Sequence, residues 1–156
     1  MKKRIIIGIL LVAILAGSIF FLWPRSFADV PQEVRSVVVT FIENTLEHEM
    51  VSFEFNAQDP EFAAIMETLD QYSYHMSLGT VSAFLENRIS IKDNNAGYWL
   101  HIDMYTEPGR CGDHYGIRSG GTGEVIAGDG VYRVGYWGNG KALEMMDAFY
   151  QMFMEE

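Results

Sequence analysis

The opening of the chain constrains it most. Three cations, Lys2, Lys3 and Arg4, precede the run IIIGILLVAILAGSIFFLW, apolar from Ile5 to Trp23 except where Gly8, Gly17 and Ser18 interrupt it. At about 1.5 Å per helical residue such a run just crosses a hydrocarbon layer of ~30 Å. Cations flanking a span stay on the cytoplasmic side, so the sequence predicts residues 1–28 as a signal anchor and residues 29–156 as an extracytoplasmic domain. Ser26-Phe27-Ala28, ahead of Asp29, offers a signal peptidase its small residues. A signal-peptide core usually has about 7–15 residues, shorter than this one, which favours a retained single-pass anchor. Cleavage after Ala28 and secretion is the alternative. Cys111 is the sole cysteine and lies far from the run, which argues against a lipoprotein.

Residues 29–156 suffice for one hydrophobic core but not two. Of the 11 cations, four (Lys2, Lys3, Arg4 and Arg25) precede this part, leaving seven against 21 acids, a charge of −14. That balance repels nucleic acid and anionic lipid, and suits a solvated face or a cationic partner. A single cysteine cannot staple the fold, so packing must hold it, which the 49% hydrophobic content permits.

Periodicity gives the elements. SVVVTFI (36–42) is β-branched and aromatic and HEMVSFEF (48–55) alternates, so a hairpin is expected around the connection 43–47. DPEFAAIMETLDQY predicts a helix with Asp59 as N-cap and Pro60 at its first position; Phe62, Ile65, Met66, Leu69 and Tyr72 form its apolar stripe. A strand begins within 72–78, and 82–87 reads as either a helical turn or a loop. RISIKDNNAGYWLHIDMYT predicts strand, turn and strand, with the turn at 93–97. HYGIRS, TGEVIAG and GVYRVGYW are three further strands, separated by hairpin-type turns at Ser119-Gly120-Gly121 and Asp129-Gly130. KALEMMDAFYQMFM predicts a last helix with Ala142, Met146, Phe149 and Phe153 on one stripe and Leu143 and Tyr150 beside it. Strands in runs with helices between and after them indicate α+β: an antiparallel meander of about five to seven strands with two helices on one face.

Three motifs invite chemistry. VYRVGYWGNGKALEMM contains G-x-x-x-x-G-K in Gly135, Gly140 and Lys141, but Ala142 stands where a phosphate-binding loop needs the hydroxyl that holds Mg²⁺. A hairpin-end turn and a helix is the better reading. A calcium loop starting at Asp93 requires a carboxylate at its twelfth position, where Met104 stands. RCGDHYG brings Cys111, Asp113 and His114 close in sequence, but zinc wants three or four ligands and a nucleophilic cysteine wants a fixed histidine; His48, His75 and His101 are remote. An exposed turn is expected there, and no cofactor or metal site.

Alternation assigns sheet faces. In YWLHIDMYT, Tyr98, Leu100, Ile102 and Met104 make the core set, leaving Trp99, His101, Asp103 and Tyr105 opposite. In the last strand Tyr132, Val134 and Tyr136 face inward, and Arg133 and Trp137 outward. Large aromatics beside His, Asp and Arg suit stacking combined with hydrogen bonding, although aromatics also pair across strands for purely structural reasons.

The order of hairpin, DPEFAAIMETL helix, meander ending in GVYRVGYW and terminal ALEMMDAFYQMF helix, behind a lysine-led anchor, resembles small exported domains of unknown function common in Gram-positive bacteria. The resemblance implies architecture and localisation and carries no activity. The expected function is therefore a cell-surface binding or interaction module for a protein or small ligand, bound to the membrane through its N-terminal helix. Candidate ligand-binding residues are Trp99, His101, Asp103, Tyr105, Arg133 and Trp137. Two alternatives stand beside it: a small extracytoplasmic enzyme with His101 and Asp103 as acid–base partners, and a structural partner of another envelope protein.

Overall fold

The computed structural model describes residues 2–24, 33–44, 49–77, 79–81, 96–128 and 130–155. The expected cleavage site at 26–28, the connection at 45–47, His48, the ambiguous stretch at 82–87, the strand RISI and the turn residues 93–95 lie outside them. Helix α1 spans Lys2–Leu22, and its Arg4–Leu22 portion is long and apolar enough to cross a membrane or serve as a signal sequence. The domain follows as β1 (Ser36–Glu43), β2 (Met50–Asn56), α2 (Pro60–Asp70), β3 (Tyr74–Met76), β4 (Tyr98–Glu107), β5 (Cys111–Ser119), β6 (Glu124–Ala127), β7 (Gly130–Val134) and α3 (Gly140–Met154).

Among the described residues one seven-stranded sheet runs in the order β2-β1-β4-β5-β6-β7-β3, with every neighbouring pair antiparallel. The fold is α+β, a β4–β7 meander extended by the β1–β2 hairpin at one end and by β3 at the other. The run SVVVTF does not alternate in hydropathy because β1 is central and buried on both faces from Ser36 to Phe41. Val37, Val39, Phe41, Leu100, Ile102, Met104, Ile117, Val125 and Val134 fill the inner face with Ile65 and Leu69 of α2 and Ala142, Met145, Met146 and Phe149 of α3. Each of these side chains larger than alanine contributes roughly 1.5–3 kcal/mol by leaving water.

α2 starts where the sequence predicts, with Pro60 at its first position. Asp59 makes no side-chain cap to that helix; its Oδ2 instead accepts the Asn56 N–H at 2.7 Å, which fixes the chain's turn out of β2. In α3, Phe153 is half-buried and stacks on Phe53 and Phe55 of edge strand β2, at 5.2 and 5.4 Å. Tyr150 packs against both Phe41 and Tyr98. Two expectations fail at β7. The strand ends at Val134, because Gly135 enters the left-handed region at φ 71, so Tyr136 is exposed rather than inward. Trp137 accordingly lies in the loop before α3 and not on a strand.

Candidate functional site

On the outer face, register places side chains in rows. Ser52, Thr40, His101, Arg118, Ile126 and Val131 are successive cross-strand partners. Glu54, Val38, Asp103 and Gly116 form the next row, and Asn56, Ser36, Tyr105 and His114 the one beyond. Trp99, His101, Asp103 and Tyr105 do share this face, each half-buried.

A tight turn builds the site. Pro108 to Arg110 reverse the chain, with Gly109 at φ 71 and Arg110 at φ 62, and a register shift between Tyr105 and Glu107 follows. Gly112 at φ 76 absorbs the irregularity, and a Cβ there would lie 2.4 Å from Thr106 Oγ1. The Asp113 N–H donates to the same Oγ1 at 2.9 Å. The result sets His114 opposite Tyr105, with ring centroids 5.1 Å apart, and brings His114 Nε2 to 2.8 Å from Asp103 Oδ1. Gly116, directly opposite Asp103, leaves room for this pair. A Cβ on it would sit 2.9 Å from Asp103 Oδ1 and 3.4 Å from the His114 ring.

Burial lowers the His101 pKa below 6.5, the Arg118 guanidinium lowers it further, and Asp103 partly opposes both. Burial also raises the Tyr105 pKa, with Asp103 adding to the shift. The neutral forms of both rings are therefore favoured, and each presents hydrogen-bonding groups without a fixed charge. Thr40 and Ser52 hydroxyls hydrogen-bond each other at 2.9 Å on the row of His101. Chemically, the patch combines a carboxylate–imidazole pair, a neutral imidazole, an exposed guanidinium and two flanking rings. It can hold a polar group while stacking on a flat or apolar one.

The structure separates the other expected members. Arg133 is on the outer face, but β7 lies three strands from β4, about 14 Å away at ~4.8 Å per strand. Its Nη1 donates to the Gly138 carbonyl at 2.7 Å. Between the two regions Ser77 and Thr80 lie against the outer face: Ser77 Oγ donates to Glu124 Oε1 at 2.7 Å, and Thr80 Oγ1 donates to the Val131 carbonyl. His101 and Asp103 share the face, yet the histidine bonded to Asp103 is His114. His114 and Arg118 are the members that reading β4 alone misses. Alternation in HYGIRS, with Tyr115 and Ile117 inward, identifies both.

Cys111 is exposed and opens β5 instead of sitting at a loop tip, with Sγ 3.5 Å from the Gly109 carbonyl. His75 is buried on β3, at the opposite edge of the sheet. Among the described residues no three His, Cys, Asp or Glu side chains gather closely enough to hold a metal ion. At the G-x-x-x-x-G-K segment, Lys141 Nζ bonds both Glu144 oxygens, at 2.9 and 2.6 Å. Lys141 and Glu144 line a pocket of about 380 Å³ with Tyr72, Ser73 and Tyr136. A carboxylate beside the lysine disfavours phosphate there. Lys141→Ala is expected to change folding stability by no more than about 0.5 kcal/mol. Saturable ATP binding that this substitution abolishes would instead reinstate a phosphate loop.

Comparison with protein-family models, with curated proteins and with solved structures finds no match to this chain.

Proposed function

We propose that the protein is a membrane-anchored module displayed outside the cytoplasmic membrane, which recognises a protein or small ligand through the β4–β5 part of its outer sheet face. Trp99, His101, Asp103, Tyr105, His114 and Arg118 form the recognition surface. The observation that carries this reading is the Asp103–His114 pair at 2.8 Å, for which Gly116 gives up a side chain. A partly exposed carboxylate–imidazole hydrogen bond adds only about 1 kcal/mol to folding. A backbone position kept bare to seat one therefore points to use of the pair outside the fold. The N-terminal helix, with its leading cations, supports the anchoring and its orientation.

The same pair favours a second reading, acid–base catalysis at the cell surface, with His114 in the role first given to His101. Among the described residues no serine, threonine or cysteine hydrogen-bonds His101 or His114, so that reading has no nucleophile in place.

Binding by this face is tested with a photo-crosslinking residue at Arg118 and another at Gln151, an exposed position on α3. The expected outcome is a discrete adduct from position 118 and none from 151. Trp99→Ala should weaken the adduct-forming interaction by about 2 kcal/mol, roughly 30-fold, while barely moving the denaturation midpoint. Adducts of equal yield at both positions, or at neither, would contradict the assignment.

A further inference from the structure

Away from β4–β5, the exposed aromatics gather at the β3–β7 edge. His75 on β3 is 2% exposed, and its ring lies 4.1 Å from that of Tyr136. Ser73 Oγ hydrogen-bonds its Nε2 at 3.1 Å. α1 meets the domain at β3, and the Leu22 and Trp23 backbone lies beside the His75 ring. No residue in the Arg4–Leu22 span is buried, so the flank of α1 stays free for lipid. Trp137 follows Tyr136 and is 87% exposed, more than any other large apolar side chain among the described residues; Trp23 is 66% exposed. Arg133 braces this loop through its bond to the Gly138 carbonyl.

A helix that spans a bilayer ends at the headgroups, and whatever touches that end lies at the same depth. Trp and Tyr concentrate in this layer because their rings enter the apolar boundary while N–H and O–H stay hydrated. We propose that the β7–α3 loop is a second membrane contact, in which Tyr136 and Trp137 dock into the phospholipid interface beside the C-terminal end of α1. The β3–β7 edge then faces the bilayer, and β4 lies three strands, about 14 Å, up the sheet from β7, which leaves its outer face open to partners. This inference rests on α1 spanning the membrane. It assigns to Trp137 a lipid partner where alternation had suggested a ligand. The guanidinium of Arg133 suits a lipid phosphate, while the domain's acidity limits the contact to the interfacial layer.

The test uses the full chain reconstituted in phosphatidylcholine vesicles, with and without nitroxide-headgroup lipid. Three single-tryptophan variants keep Trp23 (W99F/W137F), Trp137 (W23F/W99F) or Trp99 (W23F/W137F). The expected result is loss of emission from Trp23 and from Trp137 on adding nitroxide lipid, and none from Trp99. Should W99F disturb the fold, comparing W23F with W23F/W137F isolates the Trp137 signal with Trp99 untouched. Quenched Trp23 with unquenched Trp137 would overturn the loop contact and leave the anchor standing. Unquenched Trp23 would overturn the anchor itself, and the loop contact with it.

Discussion

Phe149→Ala is expected to destabilise the domain by about 3–5 kcal/mol, the largest effect of any single truncation considered. Phe149 is 0% exposed near the middle of α3, within the same buried cluster as Met145, Met146, Ile65 and Leu69. Removing the ring forfeits its transfer from water and leaves a cavity that sheet and helix cannot both close. Domains of this size are typically stable by about 5–15 kcal/mol, so the loss takes a large share. Urea denaturation of the full chain in detergent micelles reads it directly. Trp99→Ala, on the other face, should shift the midpoint far less. A loss below about 1 kcal/mol for Phe149→Ala would mean that α3 does not seat on the inner face, contrary to the packing described.

Much of this arrangement is legible in local sequence, for identifiable reasons. Pro60 marks the start of α2 because proline fits the first helical turn. The alternation of Tyr98 to Met104 gives the correct inward set because β4 has one covered face and one open one. Met145 escapes the α3 stripe drawn through Ala142, Met146, Phe149 and Phe153, since the helix meets both the sheet and α2 and buries a broader arc.

What local pattern does not contain is register and strand order. The Asp103–His114 bond depends on a tight turn and a shift between Tyr105 and Glu107, neither of which periodicity reports. β3 pairs with β7, not with its sequence neighbours, so the meander's far edge is set by long-range contact alone. The error at Tyr136 has a local cause: GVYRVGYW keeps alternating past Gly135, but the backbone turns there and parity lapses. The same continuation puts Trp137 on the sheet face, whereas it lies in the loop after β7.

An outward-facing binding surface requires the domain to be displayed outside the membrane, and Cys111 provides a direct probe of that display. It is the sole cysteine, it is exposed, and it opens β5 directly after the β4–β5 turn that shapes the proposed recognition surface. A membrane-impermeant maleimide applied to intact protoplasts expressing the full chain should label Cys111 as completely as it does after lysis. Labelling that appears only once the membrane is broken would place the domain inside, and would contradict both the topology and an outward-facing binding surface.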